Sequence, residues 1–399
     1  MYPPPKVLWL HSHFQLPTGG TKYIFEVTRR LAMHRQVEVV VESASPLWRE
    51  RYADAGVRLT EIGGLTSTSL AYWGSFPYFL RRDLTSVRQR AAGRPVIVSS
   101  FFPMPWIAGR VAREHGLRHV SLCFEPFPFF HDEEVIGLYP KWKQHLLLGL
   151  RTAYGRLDAQ GVASADSLVT LNASTMGQIA RVYGLDSVPA YAGVDTSLFR
   201  PYSQAETADL RERFGDGPLV VHSTDFSPIK RTDLAIRAFA RAAADVPTAV
   251  LVVTSTRQDG AAEADLMRLA QHLGVQDRVV YTGFLPFADL PRLYSLASVL
   301  LQTGTSAGSG ATTMSLPVKE AMACGTAVVR SGATDEDVED GVSGFLVDPR
   351  DVQETGARLA DVLLDPPRAE RMGMAGKDRV VRTYSWDRVV DVITGEVDA

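Results

Sequence analysis

Short apolar runs rich in β-branched residues alternate with helical patterns along most of the 399 residues, and this alternation is the strongest constraint on the fold. Strands separated by amphipathic helices predict parallel sheets whose two faces are covered by helices. The predicted strands form two series, which suggests two domains. The first series contains 7–10, 37–41, 57–61, 96–99, 119–123 and 167–171, and the second contains 219–222, 249–254, 279–282, 299–302, 327–330 and 345–347.

The segment 192–201 separates the two series and carries Gly193 and Pro201 near its ends. Glycine and proline interrupt regular structure, so we predict an interdomain linker there. The expected domains are residues 1–195 and residues 205–384. The last stretch, 385–399, has an amphipathic helical pattern with Ser385 as a candidate N-cap.

The composition excludes several classes of protein. Hydrophobic residues make up 45% and charged residues 22% of the chain, a balance typical of a soluble globular protein. The net charge of −3 argues against nucleic acid as a partner. Cys123 and Cys324 lie in apolar surroundings, without the spacing of a disulfide framework or metal site. With no signal peptide or membrane-spanning run visible, we expect a cytoplasmic protein.

The segment 318–329 reads as a short helix, a glycine stop at Gly325 and a buried strand. Unpaired N–H groups at the N-terminus of a helix favour a phosphate. Glu320 in this helix can accept two hydrogen bonds from a sugar diol, because an ionised carboxylate only accepts. Phosphate and diol together indicate a nucleotide or a nucleotide sugar.

Two further segments suggest an anionic ligand. Lys230 and Arg231 precede a predicted helix, where basic residues oppose the helix dipole, so a ligand is favoured over a solvated helix start. Gly19 and Gly20 follow the first strand and open a helix, where glycine lets a ligand approach the backbone closely. The glycines do not form the dinucleotide fingerprint, and a plain strand-to-helix turn is the alternative.

These segments resemble the group 1 retaining glycosyltransferases, known as glycosyltransferase family 4. The family pattern is Glu-x7-Glu-Ala-x-Ala-x-Gly-x-Pro-Val, in which Glu320 takes the second Glu, Thr312 stands at the first and Ala327 replaces the proline. Lys230 takes the place of the lysine that binds the donor diphosphate in this family. An arginine usually stands five residues earlier, where this chain has Asp225.

The resemblance implies the GT-B fold, with two Rossmann-like, doubly wound parallel-sheet domains that face a central cleft. The second would bind the donor, and the helix in 385–399 would pack on the first. The implied reaction transfers a hexose from a UDP-, GDP- or TDP-linked sugar to a hydroxyl of a saccharide, lipid-linked or small-molecule acceptor. The anomeric configuration would be retained. The resemblance also implies that an oxygen of the leaving group takes the acceptor proton, so no protein base would be needed.

No metal or other cofactor is expected to be required. Asp335-Glu336-Asp337 contains the Asp-x-Asp metal motif of a different glycosyltransferase fold. We interpret it instead as part of a capping box formed by Thr334 and Asp337 at a helix start.

The resemblance also implies the residues of the site. Lys230 and Glu320 would act on the donor during catalysis, and the backbone amides of the hydroxyl-rich segment 304–317 would contact the phosphates. The full expected donor-binding set is Gly19, Gly20, Lys230, Arg231, Phe284, Thr312, Thr313, Ser315, Leu316 and Glu320.

An acceptor pocket is expected at 124–131, because four phenylalanines and two prolines cannot all enter the core from one loop. Glu125 or His131 would orient the acceptor hydroxyl and join the catalytic residues. A structural carboxylate and a surface histidine are the equally weighted alternative.

The pattern at 139–148 is apolar and mildly basic. It suggests either peripheral contact with a membrane surface or, as we favour, an ordinary packing helix. Asn172 lies in a glycosylation sequon, which we interpret as a helix start.

A second class of function stays open at this point. Thr312 and Asp225 replace two expected ligand-binding residues, which would suit a non-catalytic GT-B binding or partner subunit. A nucleotide-sugar epimerase or a phosphorylase is a third option, and the motifs around Lys230 and Glu320 argue against both.

Overall fold

The computed structural model describes residues 6–65, 70–93, 95–255, 259–285, 288–304, 316–332 and 336–399. The chain divides into two compact units. The first contains the residues up to Ala192 together with Trp386–Ala399, and the second is Gly193–Ser385. The described residues of each unit form one parallel sheet with helices around it.

The first unit contains a seven-stranded sheet with the order β3-β2-β1-β4-β5-β6-β7 in its described residues. The order reverses between β1 and β4, so the sheet is doubly wound. Its strands are β1 (Val7–Phe14), β2 (Val37–Ala44), β3 (Arg58–Glu61), β4 (Val96–Ser100), β5 (His119–Cys123), β6 (Ser167–Thr170) and β7 (Val188–Pro189). Its helices are α1 (Gly19–Leu31), α2 (Pro46–Asp54), α3 (Leu70–Gly74), α4 (Phe76–Ala91), α5 (Met104–His115), α6 (Pro128–His131), α7 (Glu133–Gly137), α8 (Lys141–Ala163) and α9 (Ala173–Tyr183).

The second unit contains a six-stranded sheet with the order β10-β9-β8-β11-β12-β13 in its described residues. Here the order reverses between β8 and β11. The strands are β8 (Leu219–Thr224), β9 (Val250–Ser255), β10 (Val279–Phe284), β11 (Val299–Gln302), β12 (Ala327–Ser331) and β13 (Phe345–Val347). The helices are α10 (Ala208–Phe214), α11 (Thr232–Asp245), α12 (Gly260–His272), α13 (Asp289–Leu296), α14 (Leu316–Ala323), α15 (Val352–Leu364) and α16 (Pro366–Thr383).

The last helix, α17 (Trp386–Asp398), packs against α1 of the first unit. The Tyr23 and Trp386 rings lie 5.6 Å apart edge to face, and Arg35 Nη1 lies 2.7 Å from Asp398 Oδ1. Both contacts join α17 to the first unit, one through buried aromatic rings and the other through a partly exposed ion pair. The end of the chain therefore helps to build the first unit.

The cores follow from the patterns that predicted the strands. Every residue of β4, β5, β11 and β12 is buried, as expected for central strands of a sheet with two covered faces. In the second unit, Val220, Leu251 and Leu301 pack against Phe239 of α11. α11 thus covers part of one face of the second sheet, and the carboxyl ends of the strands lead into loops.

The predicted fold class is confirmed, and each of the twelve predicted strands has a counterpart. Asn172 caps α9 by accepting a hydrogen bond from the Thr175 N–H (2.8 Å), as interpreted from the sequence. Cys123 and Cys324 are buried free thiols. Among the helices in the described part of the chain, none combines the length and the apolar character needed to cross a bilayer.

Candidate functional site

The carboxyl ends of β8 and β11 flank the point where the second sheet reverses its strand order. Ligands of open doubly wound sheets bind outside the carboxyl ends of the strands at such a switch point. The chain leaves β8 into the segment that contains Lys230, and it leaves β11 toward α14, which carries Glu320. The chain therefore leaves this end of the sheet toward both elements that carry the predicted donor-binding residues.

The segment between β8 and α11 is held by its own side chains. Asp225 Oδ1 accepts hydrogen bonds from the N–H (2.9 Å) and the hydroxyl (2.5 Å) of Ser227. An Asx turn of this kind substitutes for a backbone turn. The carboxylate at the position of the usual arginine is thus bound within its own turn, which weakens its repulsion of an anion.

A short 3-10 turn, Pro228–Lys230, ends at Arg231, whose φ of +48° is in the left-handed region. This conformation is unfavourable for a residue with a Cβ. The Thr303 hydroxyl lies 2.9 Å from the Arg231 carbonyl oxygen and 3.3 Å from that of Lys230. Thr303 is fully buried just after β11, so its hydroxyl links the turn at Lys230 and Arg231 to the end of that strand.

A series of buried, hydrogen-bonded polar side chains underlies the turn that carries Lys230 and Arg231. His222 Nδ1 lies 2.9 Å from the Leu301 carbonyl oxygen, and its Nε2 lies 3.2 Å from the Thr232 hydroxyl. Thr232 in turn hydrogen-bonds the Thr224 hydroxyl at 2.9 Å. Burial lowers the pKa of His222 to about 4, so the ring is neutral at pH 7. These hydrogen bonds rigidify the start of α11, and the neutral His222 ring places no charge beneath Lys230.

The two basic residues of this turn, Lys230 and Arg231, differ in their partners. Arg231 forms a bidentate pair with Asp233, with both distances 3.0 Å. Lys230 is half-buried and has no ion-pair partner among the described residues. An ammonium without a carboxylate partner keeps its full charge for a ligand, whereas the charge of Arg231 is largely compensated.

Glu320 lies in α14, a helix whose residues are buried except for the half-buried Pro317. Its own exposed fraction is 4%, which is unusual for a carboxylate. Burial raises the pKa of Tyr294, and the charge of Glu320 raises it further, so the two groups are neighbours. A largely dehydrated carboxylate next to a phenol is suited to recognising hydroxyl groups.

Close packing around α14 fixes the position of Glu320. Gly325 ends the helix with a φ of +82°, and its carbonyl oxygen would lie 1.9 Å from a Cβ added at Gly373 of α16. Lys319 places its ammonium 4.3 Å from the centroid of the Tyr384 ring, and burial lowers its pKa to about 8. The close approach of Gly373 and the contact with Tyr384 therefore restrict the movement of α14.

The predicted first-unit residues lie on separate elements. Gly19 and Gly20 begin α1, and Thr18 caps it by accepting a hydrogen bond from the Thr21 N–H at 3.4 Å. Glu125 is half-buried just after β5. His131 Nε2 lies 2.8 Å from Asp158 Oδ2, so the imidazole ties α6 to α8.

Several predicted residues cannot be placed. Thr312, Thr313 and Ser315 lie outside the described residues, and so does the side chain of Phe284. Leu316, the first residue of α14, is buried.

One interpretation of the acidic run is wrong. Asp337 lies in no helix, and its Oδ2 lies 2.9 Å from Nη1 of buried Arg330. Its carboxylate therefore belongs to a buried ion pair instead of a capping box. No group of three His, Cys, Asp or Glu side chains among the described residues is placed to hold a metal ion.

Comparisons with known proteins now define the class. The family described as "Glycosyl transferases group 1" matches residues 205–379. A GDP-mannose-dependent alpha-(1-6)-phosphatidylinositol monomannoside mannosyltransferase of Mycolicibacterium smegmatis is 33% identical over 307 residues, covering 73% of this chain and 74% of that relative. A D-inositol 3-phosphate glycosyltransferase of Salinispora tropica is 30% identical over 410 residues, covering 96% and 81%.

The structural comparison agrees with the sequence comparison. The Anabaena protein HepE, crystallised in complex with UDP and glucose, has a TM-score of 0.78 and 18% identity, covering 99% of this chain and 100% of that one. The two parallel-sheet units therefore have the GT-B fold. The chain belongs to the group 1 glycosyltransferases.

Sequence reasoning missed the residues that support the site. Thr303, His222 and Tyr294 touch or underlie the predicted ligand-binding residues, yet no motif marks them. The one available signal was the polar residue at or just beyond a strand end, as at Thr303 after β11. Side chains in that position of a parallel sheet border its ligand-binding edge.

Proposed function

We propose that this protein transfers a hexose from a nucleoside diphosphate sugar to an acceptor hydroxyl, with retention at the anomeric carbon. The observation that carries the proposal is the position of Lys230 and Glu320 after β8 and β11, on either side of the reversal in the second sheet. One offers a positive charge without an ion-pair partner among the described residues, and the other offers a buried carboxylate.

Lys230 would bind the diphosphate. Hydrogen bonds between charged groups contribute roughly 1.5–3 kcal/mol each. The diphosphate gains negative charge as the bond to the sugar breaks, so the ammonium would bind the transition state more tightly than the ground state. Arg231, paired with Asp233, would shape the turn and contribute less charge.

Glu320 would accept hydrogen bonds from the two ribose hydroxyls. Its burial makes the interaction selective, because a ligand without hydroxyls would supply no hydrogen-bond donor to this largely dehydrated carboxylate. Thr312, Thr313, Ser315, Phe284 and Leu316 stay predicted donor contacts, as do Gly19 and Gly20 of the first unit.

The relatives guide the choice of substrates. The M. smegmatis relative is described as GDP-mannose-dependent, so we propose GDP-mannose as the first donor to test. The names of both relatives contain an inositol compound, so we propose an acceptor with an inositol or sugar ring.

The decisive experiment incubates the protein with GDP-mannose or UDP-glucose and with myo-inositol, methyl α-D-mannoside or phosphatidylinositol vesicles. Mass spectrometry detects the products, and NMR assigns their anomeric configuration. We expect an α-linked product from the α-configured donor. A β-linked product would overturn retention, and no turnover of any donor, with or without acceptor, would overturn the proposed activity.

Matched variants separate specific from general effects. Lys230→Ala should lower turnover ~10²–10³-fold, the range for loss of one group that stabilises a developing charge. Arg237→Ala removes an exposed positive charge from α11, the helix that follows Lys230, and should retain activity. Glu320→Gln should raise KM for the donor, while Glu370→Gln on the exposed side of α16 should not.

A further inference from the structure

The first sheet has its own switch point, between β1 and β4. His11 of β1 is paired in register with Ser100, the last residue of β4, and His13 lies two residues further toward the carboxyl edge. Phe101 follows β4 immediately, and Phe124 follows the next strand, β5. We call these five residues the switch-point cluster. Phe124 belongs to the segment 124–131, where the sequence predicts an acceptor pocket, and the other four have no role in the function described so far.

His11 is committed to the structure of this edge. Its Nδ1 lies 3.2 Å from the Ser100 carbonyl oxygen, which only accepts, so this nitrogen carries the proton. The Ser100 hydroxyl also accepts from Trp9 Nε1–H at 3.2 Å. Burial lowers the pKa of His11 to about 3. The His11 ring is therefore neutral and held in a fixed orientation near His13.

The ring centroid of His13 lies 6.5 Å from that of His11. Unlike the ring of His11, the ring of His13 forms no hydrogen bond to the neighbouring strand in the described part of the chain. The ring is half-buried, and neither nitrogen has a hydrogen-bond partner among the described residues. Nδ1 is closed off from solvent, whereas Nε2 is not among the buried atoms. Burial lowers the pKa of His13, which keeps the imidazole neutral. Its open nitrogen can therefore hydrogen-bond a hydroxyl group.

Two aromatic rings lie at the carboxyl ends of neighbouring strands of this sheet, and one of them contacts the His13 ring. Phe101 stands edge-on to His13 with ring centroids 6.2 Å apart, and its φ is +67°. A bulky residue in the left-handed region is an outlier that often marks a functional site. The Phe124 ring lies beside Gly20, 3.6 Å from the position of an added Cβ, and is half-buried. Such rings suit the apolar C–H face of a sugar or inositol ring.

We propose that the switch-point cluster binds the acceptor and that His13 Nε2 hydrogen-bonds the acceptor hydroxyl. The inference rests on the proposed glycosyl transfer and adds a specific residue, His13, that contacts the acceptor. The ligand class is a ring polyol, whose hydroxyl meets the imidazole and whose C–H face meets Phe101 or Phe124. His131 is held on α6 by its contact with Asp158, whereas His13 lies in β1 at the switch point itself, with an open Nε2.

The test compares His13→Phe, His13→Gln and the exposed control His34→Gln in transfer from GDP-mannose to myo-inositol and to methyl α-D-mannoside. Loss of one hydrogen bond to a substrate hydroxyl should lower kcat/KM for the acceptor ~10–100-fold in His13→Phe. His13→Gln, whose amide can still bond a hydroxyl, should recover part of the loss. The calorimetric Kd for GDP should change by less than about twofold, because His13 is not among the proposed donor contacts.

Each outcome decides the question. Acceptor kinetics of His13→Phe that match those of wild type and of His34→Gln would overturn the role of His13. Equal loss of GDP binding and transfer would show general damage and would also overturn it. Donor hydrolysis without transfer to either polyol by the wild-type protein would refute the acceptor class alone. Absence of both GDP binding and donor hydrolysis would instead refute the proposed activity.

Discussion

The Thr303 hydroxyl offers a direct test of how the second sheet supports Lys230. Thr303→Val keeps the shape of the side chain and removes the hydrogen bonds to the Arg231 and Lys230 carbonyl oxygens (2.9 and 3.3 Å). Thr303 is fully buried, so the carbonyls cannot exchange the lost partner freely for water. We expect a loss of about 1–2 kcal/mol in the free energy of unfolding.

The loss of the Thr303 hydrogen bonds should also weaken ligand binding. Without the hydroxyl, Arg231 has less support in its left-handed conformation, and the backbone that carries Lys230 becomes less ordered. We expect GDP to bind ~3–10-fold more weakly, equivalent to about 0.7–1.4 kcal/mol of ordering free energy. Calorimetric titration with GDP and urea unfolding measure the two effects.

Thr355→Val is the matched control. Thr355 is equally buried in the same unit, and its hydroxyl donates to the Asp348 carbonyl oxygen at 3.2 Å, outside the proposed site. Both variants should lose stability, but only Thr303→Val should lose affinity for GDP. Equal GDP affinity in the two variants would refute the positioning role.

Three further perturbations test other parts of the structure. Gly20→Ala should lower transfer but not the melting temperature, since an added Cβ meets its nearest neighbour at 3.6 Å, an ordinary contact. Gly373→Ala should lower the free energy of unfolding by about 3 kcal/mol or more in urea, because the Cβ would lie 1.9 Å from the Gly325 carbonyl oxygen. Burial and Asp83 raise the pKa of buried Glu42 to about 8, so the folded state keeps a proton that the unfolded chain loses near pH 4.3. Stability should therefore fall as pH rises from about 4.3 to 8, and urea unfolding at pH 5.5 and 7.5 should show a smaller fall in Glu42→Gln.

Each of these has a clear contradictory result. Unchanged transfer in Gly20→Ala would remove this glycine from the donor site. Gly260→Ala, which meets no atom within 4 Å, is the control for Gly373→Ala, and equal stability of the two variants would contradict the packing argument. An identical pH dependence in Glu42→Gln and the wild type would show that Glu42 does not hold the proton.

The strands were predictable because their signal is local. A run such as 327–330 is apolar and β-branched, and it became the buried strand β12 without any knowledge of its neighbours. The strand β7 was missed because Val188–Pro189 is too short to form a pattern and contains a proline.

The supporting contacts were not predictable because they join distant positions. Thr303 and Arg231 are 72 residues apart and meet only because β11 lies next to β8. The interpretation of Asp337 failed for a related reason, since its sequence context allows a helix cap and gives no sign of the partner Arg330. Trp142 is 63% exposed, although α8 buries Leu147 against the unit, so the helical pattern alone did not predict its orientation.

The central claim is that Lys230 recognises the diphosphate and Glu320 the ribose, and one set of calorimetric titrations tests it. Wild type, Lys230→Ala and Glu320→Gln are each titrated with GDP, guanosine and pyrophosphate. Lys230→Ala should weaken GDP and pyrophosphate ~10–100-fold and leave guanosine unchanged, since one charged hydrogen-bonding group is lost. Glu320→Gln should weaken GDP and guanosine and leave pyrophosphate unchanged. Binding of all three ligands by both variants with wild-type affinity would contradict the account.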